Sequence, residues 1–265
     1  MRPIMTAILL LVLFPTVSFA GTIRPDVDDD KYIEYGKKHQ CVLQLKLKEK
    51  LNDKWITAYA SCTVINPRTI ITAAHVVKGV DTVTVLKSDG EEVKVKYSAF
   101  PALFKTQKLA ERFDIAVCHL EEEIKLDFYP ELYRERNETE QICSIAGFGV
   151  TGNHDTGVNI RELSKRAGSN VIDAVINEML VCSVGPKRKT SLEYLIASGD
   201  SGGGLFINKK LAGVNSNVST IHKDMNPNSD KNDFSCFTRV SNHVEWIDKC
   251  IEVFDRLEKG GGLDE

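Results

Sequence analysis

Short runs of alternating or continuous apolar residues recur along most of the chain, and turn-forming residues separate them. Alternation with a period of two is typical of strands that bury one face, whereas a short continuous run is typical of a strand buried on both faces. The runs predict β-strands at 41–49, 55–65, 69–74, 81–87, 91–97, 114–120, 141–147, 178–184, 204–207, 211–218 and 234–240. Many short strands with turns between them favour an all-β barrel or sandwich.

The end of the chain has a different period. Apolar side chains recur there at helical spacing, at Val244, Ile247, Ile251, Phe254 and Leu257. This stripe predicts a C-terminal α-helix over about residues 241–257 that packs by its apolar side, and the glycines at 260–262 end the pattern. A second, shorter helix is predicted over residues 161–176.

Residues 1–20 have the composition of a signal peptide. A basic residue precedes an apolar run over 4–14, and small residues lead to Ala20. The run is shorter than the ~20 apolar residues of a membrane-spanning helix. We therefore expect a secreted or periplasmic protein that begins near Gly21 after cleavage and has no membrane segment in its mature form. The acidic stretch that follows, GTIRPDVDDDKY, is predicted to be an extended, solvated arm.

Composition and charge narrow the class of protein. Of the 265 residues, 42% are hydrophobic and 27% are charged, which fits one or two globular domains with a sizeable core. The formal net charge of −3 provides no basic surface for a nucleic acid. We expect a monomer that binds no nucleic acid and needs no cofactor.

Export changes the expected state of the seven cysteines. In an oxidising compartment they could form up to three disulfides and leave one thiol. Reflection of one strand-like arm on the other about Leu51 and Asn52 places Cys41 opposite Cys62, which predicts a cross-strand bridge. Cys118 lies in a core-like strand and is expected to be the unpaired thiol. The chain has no CxxC pair, and no metal site is expected.

A glycine-rich stretch, SGDSGGGLF at 198–206, surrounds Ser201 and runs straight into a predicted strand. Glycine is used where the backbone turns tightly or approaches other groups, so this stretch predicts a turn that presents the Ser201 hydroxyl. A serine hydroxyl becomes a strong nucleophile when an imidazole accepts its proton and a carboxylate orients that imidazole. His75, after two alanines at a strand end, and Asp114, at the head of an apolar strand, are the candidates. The N–H groups of Gly199 and Ser201 could hold an oxyanion.

Three motifs, TAAH, DIA and GDSGG, occur in the order His, Asp, Ser, and they resemble those of the trypsin-like (chymotrypsin-fold) serine protease family. The stretches CSIAGFG, LAGVNSN and FTRVSNHVEWI are also similar to family segments, so the resemblance covers most of residues 40–250. It implies two six-stranded antiparallel β-barrels, about 40–130 and 131–240, with the site between them and a helix at the end. A trypsin-like peptidase domain would then span 21–265 and act on a protein or peptide substrate.

The resemblance also implies a role for each candidate residue. His75 would be the general base and acid, Asp114 would orient it, and Ser201 would be the nucleophile that forms an acyl-enzyme. Gly199 and Ser201 would donate to the oxyanion, and Ser216 would lend its backbone to an extended substrate. These roles describe a secreted serine endopeptidase.

The chain departs from the family pattern in two ways. Many relatives carry cysteines after the histidine and before GDSGG, where this chain has Val76 and Ala197-Ser198, and in this it resembles bacterial secreted members. No IVGG start is present either. In the family a new amino terminus pairs with the aspartate before the nucleophile, here Asp200. We therefore expect either trimming to Ile23 or another partner for Asp200.

Position within the family pattern implies a substrate pocket. Leu195, six residues before the nucleophile, would lie at its floor, Val218 at one wall and Ser235 near the opposite wall. An apolar floor cannot pair with Arg or Lys, and a branched Val218 narrows the cavity, so we expect cleavage after small or medium apolar residues. The basic run KRK at 187–189 leaves open a preference for an acidic residue, although such runs usually face water.

Two alternatives stay open at this point. Residues 73–96 have some similarity to periplasmic quality-control proteases, in a form that would lack a PDZ domain. A catalytically silent homologue could instead act as a binding protein. A fluorophosphonate probe separates an enzyme, which it labels at Ser201, from a silent homologue.

Overall fold

The computed structural model describes residues 21–105, 110–160, 164–185, 189–220 and 226–260. Within these ranges the strands, numbered in chain order, are β1 (Thr22–Ile23), β2 (Val42–Leu51), β3 (Lys54–Asn66), β4 (Thr69–Thr72), β5 (Thr82–Leu86), β6 (Glu92–Ala99), β7 (Ala116–Leu120), β8 (Ile142–Gly147), β9 (Thr151–Asn153), β10 (Gly157–Ile160), β11 (Arg166–Val171), β12 (Ala174–Ile176), β13 (Met179–Ser183), β14 (Tyr194–Leu195), β15 (Gly204–Ile207), β16 (Lys210–Thr220) and β17 (Asp233–Arg239). The helices are α1 (Asp29–Lys37), α2 (Ala74–Val77) and α3 (Val244–Glu258), with 3-10 turns at Ala102–Lys105, Ala110–Phe113 and Val240–Asn242. Every strand predicted from the sequence is confirmed, to within two residues at each end.

The first half of the chain forms a closed six-stranded barrel, in the order β2, β3, β4, β7, β6 and β5, with antiparallel neighbours. Its first hairpin turns at Asn52 and Asp53, whose φ angles are 48° and 63°. Two positive φ angles in a two-residue turn match the twist of the strands that the turn joins. Fully buried side chains such as Leu45, Ile71 and Val85 fill the core, as alternation in the sequence predicted.

The second half forms a seven-stranded antiparallel sheet among the described residues, in the order β11, β8, β15, β16, β17, β13 and β12. A four-stranded sheet, in the order β10, β9, β1 and β14, shares its core through Ile23 and Tyr194. The seven-stranded sheet has one strand more than the six that the resemblance implied for the second barrel. The predicted all-β fold of two barrel-like halves with a C-terminal helix is confirmed.

The acidic N-terminal stretch is not the solvated arm that we predicted. β1 lies between β14, its antiparallel neighbour, and β9, its parallel neighbour. In α1, which follows, Tyr32 is fully buried and its hydroxyl donates to the carbonyl of Glu193 at 3.2 Å. Asp29 accepts two hydrogen bonds of 2.6 Å from Arg166. All these partners lie far along the chain, so the local sequence could not reveal them.

The helix predicted over residues 161–176 is wrong wherever that range is described. Strands β11 and β12 occupy it, and residues 161–163 lie outside the described residues. β11 pairs along its length with β8, from Arg166 opposite Gly147 to Val171 opposite Ile142. Strand formation here follows from pairing with a distant segment, which overrides a weak local preference.

α3 confirms the predicted C-terminal helix. Val244, Ile247 and Phe254 are buried along one side of it. The ring of Phe254 stacks on Tyr97 of β6, with ring centroids 5.8 Å apart, so the helix packs against the first barrel. The C-terminal helix therefore packs on the barrel that the first half of the chain forms.

Some predictions fall on residues that the structure does not describe. These are the signal peptide at 1–20, the basic residues at 187–188 and the glycines at 261–262. Across the described part of the chain, no helix is both long enough and apolar enough to span a bilayer.

All seven cysteines are buried and carry free thiols. The predicted bridge between Cys41 and Cys62 is wrong in register, because Leu43 lies opposite Cys62 and the carbonyl of Cys41 accepts the N–H of Val64. The hairpin turn is centred one residue further along than the symmetry point that the sequence suggested. Cys118 is free, as predicted, but so are the other six.

Candidate active site

The turn that carries Ser201 connects β14 to β15 and is held by main-chain hydrogen bonds. Within the turn, the N–H of Asp200 donates to Ala197 at 3.1 Å and the N–H of Gly203 donates to Asp200 at 2.8 Å. The first barrel also contributes, because the N–H of Ser61 on β3 donates to the carbonyl of Ser201 at 2.9 Å. Both halves of the molecule therefore fix the position of this serine.

Two glycines in this turn have a conformation that other residues rarely adopt. Gly199 has φ +93° and Gly202 has φ +84°. A Cβ atom at Gly202 would lie 2.0 Å from Thr72 Oγ1 and 2.3 Å from the carbonyl oxygen of Ser61, and one at Gly199 would lie 2.9 Å from Gly149 Cα. Positive φ and close packing together explain why this stretch is rich in glycine.

The N–H groups of Gly199 and Ser201 donate to no acceptor in the described part of the protein. The carbonyl of Gly199, in the next peptide unit, is engaged, since it accepts the Ser61 hydroxyl at 2.8 Å. That hydroxyl in turn accepts the N–H of Phe148 at 2.8 Å. Both N–H groups belong to the turn that carries Ser201, and free N–H groups of this kind can donate to a developing oxyanion.

His75 lies at the start of the short helix α2 and contacts Asp114. The carboxylate accepts the backbone N–H of His75 at 2.9 Å, and its second oxygen lies 2.7 Å from His75 Nδ1. With Nδ1–H donating to the carboxylate, Nε2 is the ring nitrogen that can accept a proton. The histidine side chain is 42% exposed and the Asp114 side chain only 4% exposed. Solvent therefore reaches the imidazole ring but hardly reaches the carboxylate.

The second half of the molecule supports this carboxylate. The Ser216 hydroxyl on β16 donates to Asp114 at 2.6 Å, and the Thr238 hydroxyl on β17 donates to the backbone carbonyl of Asp114 at 2.9 Å. Burial disfavours the charged form, but the hydrogen bonds from His75 and Ser216 outweigh it and lower the pKa of Asp114 below its ordinary value. The carboxylate is therefore ionised at neutral pH.

His75 and Ser201 line one cavity of 300 Å³. No hydrogen bond joins their side chains, which both belong to the described residues. Such bonds are often formed only when a substrate is bound. The remaining lining comes from β10, β16, the stretch before Ser201 and residues 227–229.

Two of the four predicted substrate-binding residues, Ser216 and Val218, line this cavity. Leu195 does not, because it is fully buried and its backbone pairs with Thr22 of β1. Ser235 is also behind the lining, where its hydroxyl accepts the N–H of Ile196 at 2.9 Å. The floor predicted at Leu195 is therefore wrong, and the two residues that follow it, Ile196 and Ala197, line the cavity instead.

The sequence did not reveal several residues that line the cavity, namely Val158, Pro227, Asn228 and Ser229. They are brought there by long-range hydrogen bonds, such as that from the N–H of Val158 to the carbonyl of Asn228 at 3.1 Å. None of the described lining residues carries a formal charge apart from a protonated His75. Lys189, the described member of the basic run, instead pairs with Asp173 and Ser183.

Asp200, in the turn that carries Ser201, is fully buried. It accepts the Tyr194 hydroxyl at 3.0 Å and the N–H of Gly149 at 3.2 Å, and the backbone N–H of Gly21 also donates to it. Burial raises the pKa of Asp200 to about 6, although these donors oppose the shift. The backbone of Gly21 is thus one of the groups that surround this carboxyl.

The family model of Trypsin matches residues 33–247. The chain belongs to the trypsin family. His75, Asp114 and Ser201 lie within the matched trypsin-family range, whereas Gly21 and β1 precede it. The membership is in keeping with peptide substrates and with a serine protease class of hydrolase.

Two solved structures share the trypsin-family fold. HL collagenase has a TM-score of 0.63 and 16% identity, over 81% of this chain and 94% of its own. Neuropsin, a serine protease expressed in the limbic system of mouse brain, has a TM-score of 0.60 and 18% identity, over 80% of this chain and 95% of its own. At these identities the likeness shows the fold alone. No curated protein matches the chain in sequence.

Within the described ranges of this trypsin-family chain, no group of three or more His, Cys, Asp or Glu side chains is placed to hold a metal ion. The arrangement of hydroxyl, imidazole and carboxylate suits proton transfer and nucleophilic attack by side chains of the protein itself.

We predict that Gly202→Ala destabilises the fold far more than Gly90→Ala. Both glycines have positive φ, at +84° and +88°, but a Cβ at Gly90 meets nothing within 4 Å. Gly90→Ala should cost about 1–2 kcal/mol of unfolding free energy for backbone strain alone. Gly202→Ala adds overpacking against Thr72 and Ser61, for a further ~1–3 kcal/mol. Urea unfolding measures both values, and equal losses would show that packing does not restrict this turn.

Proposed function

We propose that this protein is a secreted serine endopeptidase that hydrolyses peptide bonds through Ser201, His75 and Asp114. One arrangement carries the proposal. His75 Nδ1 is 2.7 Å from the buried Asp114 carboxylate, in the cavity that also contains Ser201. The two unengaged N–H groups beside that serine complete the groups that acyl transfer needs.

In the proposed mechanism Ser201 Oγ attacks the substrate carbonyl carbon and His75 Nε2 accepts the hydroxyl proton. The Asp114 carboxylate stabilises the imidazolium that results, because its low pKa keeps it charged. The N–H groups of Gly199 and Ser201 hold the oxyanion of the tetrahedral intermediate. The imidazolium then protonates the leaving amine, and a water activated by His75 hydrolyses the acyl-enzyme.

We further propose a preference for small or medium apolar residues on the amino side of the scissile bond. Ile196, Ala197 and Val218 supply apolar lining, and the cavity volume is 300 Å³. A substrate Arg or Lys would enter without a carboxylate partner, at a cost in free energy. We propose that Ser216, which lines the cavity, offers its backbone to an extended substrate, as the resemblance implies.

The remaining parts of the proposal concern organisation. We propose a monomer that acts outside the cytoplasm, with a first barrel over about 40–130, a second over about 131–240 and a peptidase domain over 21–265. The bacterial origin inferred from the missing cysteines stays a prediction. No observation favours the quality-control alternative.

We propose that removal of the signal peptide also activates the protein. Hydrolysis of the bond between Ala20 and Gly21 would convert the Gly21 amide into an α-ammonium group beside Asp200. This arrangement favours Gly21 over Ile23 as the mature start, because the Gly21 N–H already donates to Asp200. Ile23 instead lies in β1, where its backbone pairs with Tyr194 of β14. The resulting ion pair would stabilise the turn that presents the oxyanion donors.

We predict that Ser201→Ala abolishes labelling by a fluorophosphonate probe and lowers kcat by about 10³-fold or more while leaving the fold intact, since the triad residues act as a unit. Ser198→Ala is the matched control, because that serine lines the same cavity but lies outside the triad. It should keep the label. Mass spectrometry locates the label and a peptide substrate gives the rates.

Two results would contradict this assignment. Near-normal peptidase activity in Ser201→Ala would place the nucleophile elsewhere. Absence of labelling in the mature wild-type protein would instead favour the silent homologue that binds without cleaving.

We predict that the active protein begins at Gly21. One alanine added before Gly21 should lower kcat/KM by at least about tenfold, the factor that corresponds to ~1.4 kcal/mol of lost ion pairing. The same alanine added after Glu265 is the control and should have no effect. N-terminal sequencing of active material and peptide kinetics check both points. Full activity in the N-terminally extended form would exclude the proposed switch.

The uncleaved form offers a second test of the same switch. Because the folded pKa of Asp200, about 6, exceeds the unfolded value near 4, the precursor should lose stability as the pH rises between these values. The loss is about 2–3 kcal/mol and should be absent in the Asp200→Asn precursor and in the mature protein, where the ammonium keeps the carboxylate charged. Urea unfolding from pH 4 to 7 measures it.

We predict that a peptide library is cut chiefly after Ala, Val or similar residues. Val218→Gly removes the branched side chain from the cavity wall and should shift the preference toward Phe and Tyr, because the lost volume admits a ring. Ile142→Ala, at an exposed position on β8, serves as the control. Dominant cleavage after Arg or Lys would refute the apolar pocket, and dominant cleavage after Glu would favour the basic run at 187–189.

A further inference from the structure

Two buried thiols meet in the core of the second half of the molecule. Cys143 on β8 and Cys182 on β13 have their sulfur atoms 3.9 Å apart. The two residues are only 2% and 0% exposed. In the sheet their strands are not neighbours, because β15, β16 and β17 lie between them. The curvature of the sheet therefore brings together two sulfurs that strand pairing keeps apart.

Side-chain alternation explains why both thiols point inward. On β8, Cys143 shares the buried face with Ile145, whereas the preceding Ile142 is 67% exposed. On β13, Cys182 shares the buried face with Leu180. All four buried side chains belong to one apolar cluster. A buried cysteine can act simply as a small apolar residue, so burial alone does not distinguish two thiols from a bonded pair.

The contact between the sulfurs makes a bonded pair accessible. A disulfide needs its sulfurs about 2 Å apart, so these two must approach by roughly the same distance. Rotation of the side chains between staggered rotamers is a movement of this kind and leaves the strands in place. The contact that it breaks is weak, because thiols are poor donors: Cys143 Sγ lies 3.4 Å from the carbonyl oxygen of Asn170.

The proposed export of the chain provides a suitable compartment, because disulfides form and persist under oxidising conditions. The time at which the bond could form is also restricted. The thiolate is the reactive form of a cysteine, and burial raises the pKa of Cys182 well above its ordinary value. The folded core therefore protects the thiols, and oxidation belongs to the folding of the chain, before the core closes.

We propose that Cys143 and Cys182 form a disulfide in the exported protein, with a small-molecule or protein disulfide as the oxidant. The thiolate of one cysteine attacks the oxidant, forms a mixed disulfide and releases the first thiolate of the oxidant. The other cysteine then attacks that mixed disulfide, forms the bond between the two cysteines and releases the second thiolate. The cysteines lose two protons and two electrons, and the oxidant is reduced to two thiols.

The bridge would join two strands that each support the candidate active site. β8 leads to Gly149, whose N–H donates to the Asp200 carboxyl at 3.2 Å. On β13, Cys182 lies opposite Ser235, whose hydroxyl accepts the N–H of Ile196 in the cavity lining at 2.9 Å. The bond would thus hold the second half together around the turn that carries Ser201. The inference rests on the proposed export and not on the proposed peptidase activity.

The first test counts and locates thiols. The mature protein is refolded from denaturant in a mixture of reduced and oxidised glutathione, and its free thiols are then alkylated in denaturant. Mass spectrometry should find two alkyl groups fewer than the seven of the reduced chain, and a peptide that joins Cys143 to Cys182 and separates on reduction. Alkylation of all seven cysteines, or a bond in a different pair, would overturn the proposal.

The second test compares Tm between the oxidised form of each protein and the same protein refolded with a reductant. The bond closes the loop over residues 143–182, and the wild-type oxidised form should melt about 10 °C higher. The difference should fall to near zero in Cys143→Ala and in Cys182→Ala. Cys118→Ala, at a fully buried position on β7, is the control and should keep the difference. The packing cost of each substitution cancels, because every protein is compared with its own reduced form.

A wild-type difference in Tm near zero, or one that Cys182→Ala preserves, would show that this pair does not hold the second half together and would overturn the proposal. Neither test depends on peptidase activity. If a fluorophosphonate probe fails to label Ser201 but the bond is found, the endopeptidase assignment fails and this inference stands. If the probe labels Ser201 and the thiols stay free, the assignment stands and this inference falls.

Discussion

Ser61, on the first barrel, makes three hydrogen bonds to the second half of the molecule at the point where the nucleophile turn lies. Its N–H holds the carbonyl of Ser201, and its hydroxyl joins the carbonyl of Gly199 to the N–H of Phe148. These bonds engage the carbonyls of Gly199 and Ser201 and so fix the path of the backbone on both sides of Asp200. The conformation of the turn that carries Ser201 thus depends on correct docking of the two halves, and neither half contains the candidate site alone.

The same dependence governs the histidine and the carboxylate. His75 and Asp114 both belong to the first half, but the hydroxyls that support Asp114 come from β16 and β17 of the second. A buried carboxylate is stable only when donors surround it. Docking therefore adds a hydrogen bond from Ser216 that lowers the pKa of Asp114 further, beyond the larger effect of His75 in the same half.

Two buried aspartates, Asp114 and Asp200, have pKa values that are shifted in opposite directions. Asp114 has enough donors to keep its pKa low, whereas burial raises the pKa of Asp200 to about 6. The donors around the Asp200 carboxyl therefore do not offset the cost of its burial. Gly21, the residue directly before β1, lies beside it. Under the proposed cleavage before Gly21, this contrast would link maturation of the chain to the conformation of the turn that carries Ser201.

The sequence by itself determined eleven of the seventeen described strands, the C-terminal helix and the chemical candidates at His75, Asp114 and Ser201, because local periodicity and short motifs indicate these features. It could not determine the burial of the N-terminal stretch, the strand at β11 or the register of the first hairpin. Each of these depends on pairing with a segment far along the chain. Pocket lining was likewise decided by tertiary structure: Leu195 has the expected position in sequence, but pairing with β1 turns it into the core and leaves its two successors to line the cavity.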